Sequence, residues 1–370
     1  MDADNAMPRA RLLAMINAAW MTQAIGTAVQ LGLPDRLAAP DCTGCTAATL
    51  AHEVGADPDA LARLLRALAT VGVLHESADG TFALGATGQL LCTSNPGSLA
   101  AWALLAKTRL WPVWTRLETC VRTGRSAREA TWGGDDFSIF DDEPEAALVF
   151  HQAMVELTRP AAAALAAKVD WSSSRRVVDI GGGSGALIAA VLAAHPHLEG
   201  VLFDLSHATG LADATLREAG VLHRCERVAG DFFRSVPAGA DTYLLKSVLH
   251  DWDDAGCARI LATCRDAMAR NARMLVIERV VPDRPGTTPL DQAHAFSDLN
   301  MLVSTGGRER REAQFRALLD AAGLRLSQRI SLTDTLDVLE ARPTVRGITR
   351  SAWVHVDACT MRSHHPKESP

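Results

Sequence analysis

The stretch Arg176-Val177-Val178-Asp179-Ile180-Gly181-Gly182-Gly183-Ser184-Gly185 restricts the fold more than any other part of the chain. A short run of β-branched residues ends in an acid and then turns through glycines toward the helical pattern of Ser184 to Ala194. That order reads as strand, tight turn, helix. Backbone without Cβ atoms lets a ligand come close at such a turn, and the following helix offers unpaired N–H groups. The segment therefore predicts a nucleotide-like cofactor at the carboxyl end of a strand.

The rest of the second half repeats the pattern. Strands are predicted at 176–180, 201–205, 226–230, 241–248 and 274–280, with helices between them, as in Asp253 to Ala269. Alternating strands and helices imply an α/β, Rossmann-like, doubly wound parallel sheet whose site lies at the carboxyl ends of the strands. The side chains arriving there are Asp179, Asp204, Asp231 with Phe232, Lys246 to Asp251, and Glu278.

A chain of 370 residues is long for a single core, so a second domain is expected. The first hundred residues supply it. Apolar periodicity from about 9 to 33 stops at Gly32-Leu33-Pro34, which predicts a long amphipathic helix. Two shorter helices, from Thr49 and from Asp57-Pro58, lead to a hairpin at 72–76 and 81–84 split by Asp79-Gly80. Helix, helix, helix, hairpin is a mainly helical, winged-helix-like arrangement. Its candidate reading helix carries only Arg63 and Arg66 against Asp57 and Asp59, and the net charge is −6, so nucleic acid is not the expected partner. The first helix has more apolar surface than a small domain covers, which favours self-association.

The expected division is a dimerisation domain over 1–100, a helical linker over 101–165, a cofactor-binding catalytic domain over 166–345 and a flexible tail over 346–370. The linker concentrates aromatics (Trp102, Trp111, Trp114, Trp132, Phe137 and Phe140), chiefly as packing between domains, with a minority free to wall a flat organic substrate. No apolar run is read as approaching the roughly 20 residues that span a bilayer, and the acidic N-terminus does not resemble a signal peptide; a cytoplasmic protein with no membrane partner is expected. Cys42-Thr43-Gly44-Cys45 has redox or zinc spacing but no second pair, so free thiols and no metal are expected.

Two cofactors compete for the turn. Gly181 to Ala186 satisfies G-x-G-x-x-[G/A], and Asp204 follows at a spacing that permits a dinucleotide. Asp179 tips the balance, because a carboxylate there would oppose a pyrophosphate but suit a cation. Asp231 in Gly230-Asp231-Phe232-Phe233 can bind an adenine amine beside an aromatic ring. His250-Asp251-Trp252 suits proton handling better than hydride transfer. A carboxylate-rich pocket fits a cationic cofactor without phosphates, namely S-adenosyl-methionine.

Taken together, the chain resembles small-molecule O-methyltransferases of the caffeate/hydroxyindole type, including their bacterial natural-product branch. The matching text comprises Val178 to Gly185, Phe203-Asp204-Leu205, Gly230 to Phe233, Lys246 to Asp254, Leu275 to Glu278, Asp298 to Leu302 and Gly306 to Arg310. The resemblance implies that Asp179, Gly181, Gly182 and Gly183 lie at the methionine end of the cofactor. It places Asp204 and Leu205 at the ribose, Asp231 and Phe232 at the adenine, and Lys246 in contact with the cofactor. His250 becomes the base that deprotonates the acceptor hydroxyl, with Glu278 and Glu309 orienting it. Met154, Trp252, Asp298 and Met301 border the acceptor. The implied activity is metal-independent methylation of a phenolic or related hydroxyl on a small aromatic substrate by a homodimer. Alternatives on the same fold are N- or C-methylation, or a non-methylating reaction with the same cofactor. A small-molecule-sensing winged-helix regulator is the alternative outside enzymology. From the residues alone, Glu309 has a second reading as part of a solvated charged run, Arg308 to Glu312.

Overall fold

The computed structural model describes residues 3–42, 44–132 and 143–344. A helix over Ala3–Gln30 opens the chain and a short one follows at Leu33–Leu37. Strand β1 (Cys45–Thr46) then leads to helices Ala47–Val54 and Pro58–Thr70. Both start on side-chain caps: the Thr46 hydroxyl accepts from the Thr49 amide and the Asp57 carboxylate from the Ala60 amide. Strands β2 (Leu74–Glu76) and β3 (Thr81–Leu84) pair antiparallel, and β1 adds to β3. Leu50, Leu61, Leu65, Leu68, Val73 and Phe82 close a separate small core beneath them.

The first helix buries only its C-terminal end within this chain, where Ala28 joins the small core and Ile25 and Val29 pack against it. Met7 is 77% exposed and Trp20 68%, and Leu12, Met15 and Ile16 also face outward. Its Met7–Gln30 portion is long and apolar enough, by length and composition, to cross a membrane, contrary to the expectation that no run came close. The arginines at 9 and 11 interrupt the run in sequence without offsetting its mean hydropathy.

The cysteine expectation is overturned at one pair. Cys42 and Cys45 are joined as a disulfide, with Cα atoms 5.8 Å apart. A tight turn, in which the Cys42 amide donates to the Ala39 carbonyl, brings the chain back to β1 within bonding reach. Cys92, Cys120, Cys225, Cys257 and Cys264 are buried free thiols, as expected.

Helices over Ala100–Leu105, Trp111–Trp114, Leu117–Thr123 and Ala127–Trp132 lead to the long helix Pro144–Lys168. Trp111 lies at the surface, and Trp114 packs beside Cys120 and Val303. Phe137, Phe140, the Trp132 side chain and the 346–370 tail lie outside the described residues.

The second half forms a seven-stranded sheet from β4 (Arg176–Ile180), β5 (Glu199–Asp204), β6 (Cys225–Ala229), β7 (Thr242–Lys246), β8 (Arg273–Glu278), β9 (Leu324–Ser331) and β10 (Asp337–Pro343). Their order is β6-β5-β4-β7-β8-β10-β9. The first five are parallel, while β10 runs antiparallel to both β8 and β9. The expected parallel sheet therefore carries an antiparallel edge. Strand order reverses between β4 and β7, the position at which a ligand crevice forms in such sheets. Successive residues serve opposite faces: Val178 packs with Tyr243 and Ile260, whereas Val177 packs with Leu165, Leu187 and Leu244.

Candidate active site

The glycine turn leaves β4 in the conformation only glycine takes readily. Gly181, Gly183 and Gly185 have φ of 68°, 58° and 83°. A Cβ on Gly182 would lie 2.3 Å from Leu202 Cδ1 and 2.7 Å from Asp179 Oδ2, so the turn sits directly upon both. Asp204, ending β5, accepts from the Gly183 amide at 2.7 Å and from the Leu205 amide at 2.6 Å. Its carboxylate is thereby fixed against the turn, with Leu205, Asp231, Phe232 and Lys246 half-buried around the same strand ends. Asp231 accepts from the Phe233 amide at 2.8 Å, and Lys246 Nζ donates to Thr158 Oγ1 at 3.0 Å. Burial lowers the affinity of Lys246 for its proton, against the pull of Glu278, Asp179 and Asp251.

Asp179 occupies a different place from its neighbours. It is 1% exposed, beneath the turn, and its Oδ2 has no hydrogen-bond partner among the described residues. Burial first, and the nearby Asp204 second, push its pKa up to about 7. It supports the turn from below rather than lining the crevice.

The second half of the site hangs from β7 and β8. Ser247 leaves β7 with φ 53°, a left-handed conformation costly for a residue with a Cβ, and a 3₁₀ turn over Leu249–Asp251 follows. Glu278, completely buried at the end of β8, accepts from the Val248 and Leu249 amides at 3.0 and 2.8 Å through Oε1. Its Oε2 lies 3.6 Å from His250 Nδ1. Glu309 Oε1 stands at the same 3.6 Å from Nδ1, and Asp251 Oδ1 is 3.8 Å from Nε2. These are charge contacts slightly longer than hydrogen bonds.

Glu309 is 5% exposed, so the solvated-run reading is wrong for it: Arg308 faces solvent while Glu309 and Arg310 turn inward. Ser297 donates to it at 2.6 Å, the Arg279 guanidinium lies 3.4 Å away, and Asp298 accepts its amide at 2.8 Å. Burial would raise the Glu309 pKa, but His250, Ser297 and Arg279 together hold it below the usual value. Burial disfavours a charged His250, yet Glu278, Asp251 and Glu309 outweigh it and push the imidazole up to about 10. Burial raises Glu278 as well. The ligand atoms of His250, Glu278 and Glu309 fall within 4.8 Å of one another, close enough also to hold a metal ion.

The four residues expected at the acceptor sit in different surroundings. Trp252 stacks edge-on with Phe233 and Phe232, at 4.7 and 6.0 Å between ring centroids, which groups it with the residues assigned to adenine. Asp298 is exposed and braces the Glu309 backbone. Met154 and Met301 are half-buried on the helices Pro144–Lys168 and Pro289–Ser304. Sequence reasoning passed over Trp114 as packing; its indole donates to Asn300 Oδ1 at 2.9 Å, tying the linker to the Met301 helix.

The two halves touch, since a Cβ on Gly181 would meet Val248 Cγ2 at 2.8 Å. A doubly wound sheet with a glycine cradle, a carboxylate at the end of its second strand and a histidine held among acids defines an S-adenosyl-methionine-dependent methyltransferase domain. The O-methyltransferase domain profile matches residues 114–325, and the O-methyltransferase dimerisation domain profile matches 13–94. O-demethylpuromycin-O-methyltransferase of Streptomyces alboniger is 44% identical over 306 residues, 80% of each chain. The solved mitomycin 7-O-methyltransferase MmcR matches with a TM-score of 0.84 at 37% identity, over 92% of this chain and 99% of that one. An O-methyltransferase from neocarzinostatin biosynthesis, solved with S-adenosylmethionine and 2-hydroxy-5-methyl naphthoic acid, matches at 0.74 and 31% identity over 87% and 96%. The chain belongs to this O-methyltransferase family: it is an S-adenosyl-methionine-dependent O-methyltransferase with an N-terminal helical dimerisation domain.

Proposed function

We propose that the protein methylates a phenolic or similar hydroxyl of an aromatic secondary metabolite, as a metal-independent homodimer, with His250 as the general base. The convergence of Glu278 and Glu309 on Nδ1 of His250 carries the reading. The aromatic acceptors named for the relatives fit the same chemistry. The outward apolar face of Ala3–Gln30 supports a second copy as the covering surface.

The cofactor supplies an electrophilic methyl group on a sulfonium, which leaves as a neutral thioether. Asp204, in reach of a ribose diol, and Phe232 with Asp231, at an adenine, would hold and orient it. A phenol with pKa near 10 is a poor nucleophile until it loses its proton. His250 presents Nδ1 to two carboxylates, so Nε2, 3.8 Å from Asp251 Oδ1, is the nitrogen that would take that proton, and the acids stabilise the imidazolium that results. The same acids raise the proton affinity of the imidazole, and only its neutral form can take the proton.

Calorimetry with S-adenosyl-homocysteine and methyl transfer to a panel of phenols test the proposal. No binding, or transfer only to amines, would overturn it. Full activity after EDTA treatment is expected, and loss that zinc or magnesium restores would remove the metal-independent part.

A further inference from the structure

We propose that Arg310 is the positioning residue that sets His250 for proton transfer, by tying both ends of the His250 turn to the segment that carries Glu309. The inference rests on the reading of His250 as the base. Arg310 is fully buried, an expensive place for a guanidinium unless every donor has a partner. Its partners are specific. Nη1 donates to the Leu249 carbonyl at 2.7 Å, where the turn begins, and Nη2 donates to the Trp252 carbonyl at 2.7 Å, where it ends. Nη2 and Nε both reach Asp254 Oδ1, at 2.8 and 3.0 Å, so the carboxylate that starts the helix Asp254–Ala267 balances the charge.

The backbone of the same segment completes the clamp. The Arg308 amide donates to the His250 carbonyl at 2.9 Å, and the Val281 amide donates to the Arg310 carbonyl at 3.0 Å, joining the segment to the exit of β8. Gly307 permits this approach: a Cβ there would sit 1.9 Å from the His250 carbonyl oxygen and 2.5 Å from the Asp251 carbonyl carbon. Consecutive side chains then serve two faces of one histidine. Glu309 meets the imidazole while Arg310 holds the backbone that bears it. The spacing between base and acid is thus fixed by a single rigid unit, and displacement of a reacting group by about 1 Å can cost about 100-fold in rate.

The test is Arg310→Met, which keeps much of the volume and removes the five donors, with Arg310→Lys as the conservative variant. Expected for Arg310→Met is a fall in kcat of about 10- to 100-fold, KM for acceptor and cofactor within about twofold, and a shifted rising limb in the pH–rate profile. Arg310→Lys should recover part of kcat. In a His250→Ala background Arg310→Met should add no further loss. Unchanged kcat and pH profile, or a loss that persists in full without His250, overturns the proposal. If Arg310→Met does not fold, Asp254→Asn decides, because that carboxylate is largely exposed. It should lower kcat several-fold with unchanged S-adenosyl-homocysteine affinity, and unchanged kcat overturns the proposal. Should His250→Ala alone leave turnover intact, it is the base reading that has failed. Should His250→Ala cut turnover and Arg310→Met not, only the clamp has failed.

Discussion

The two halves of the crevice are built in opposite ways. The cofactor half is local: β4, the glycine turn and the end of β5 lie within one βαβ unit, and Asp204 accepts from amides of that same unit. The base half is assembled from the ends of β7 and β8 and an irregular segment at 307–310, with Glu278 and Arg310 reaching across to the backbone of the turn at 248–252. The first half is a binding device that a short stretch of chain can specify. The second depends on long-range packing, and its function depends on distances that packing sets.

Substitutions that separate the halves sharpen this contrast. The largest effect is expected from His250→Ala, which should reduce turnover about 10²- to 10⁴-fold while leaving S-adenosyl-homocysteine affinity in place. Equal turnover would point to catalysis by proximity alone. Asp204→Ala should act the other way, weakening S-adenosyl-homocysteine by about 100-fold, the equivalent of two charge-assisted hydrogen bonds at ~1.5 kcal/mol each. Tight binding by that variant in a calorimeter would remove Asp204 from the cofactor site.

Asp179→Asn probes the floor of the cofactor half. An aspartate near pKa 3.9 when unfolded and about 7 when folded keeps its proton longer in the native state. Its contribution is present in full below pH 4 and is lost as pH rises toward 7, by at most about 4 kcal/mol. The variant should therefore show a flatter dependence of urea stability on pH between 4 and 7, and a slope equal to wild type would contradict the buried-acid account. Ser247→Gly should have the smallest effect on stability. It relieves a left-handed conformation worth ~1 kcal/mol and loses a similar amount to the freer unfolded chain. Melting temperature should move by no more than a few degrees, and a larger fall would mean the Ser247 side chain holds the turn by contacts of its own.

Legibility in the sequence follows the same division. β4, β5, β7 and β8 were readable because buried parallel strands are runs of apolar residues broken by turn signals. The antiparallel pair was not. β9 turns Arg325, Gln328 and Arg329 toward solvent at the sheet edge, and β10 buries Glu340, which binds Arg273 and Gln328, so neither shows a simple pattern. Glu309 sat in a run of five charged residues, and only the fold turns it and Arg310 inward while leaving Arg308 outside. Trp252 packs against Phe232 and Phe233 and Asp298 against the Glu309 amide, neighbours that no local pattern specifies.

By itself the sequence determined the α/β class, the helical first domain, the glycine turn and the nature of the cofactor. Each rests on local chemistry: glycine in left-handed backbone, acids at strand ends, capped helices, apolar periodicity. Only the tertiary structure decided which acids stay open to the crevice and which are buried under it. It alone brought Glu278 and Glu309 to one side of His250 and placed Arg310 beneath its turn. Residues so far apart in the chain meet through packing, and no local propensity encodes a 3.6 Å separation across three elements.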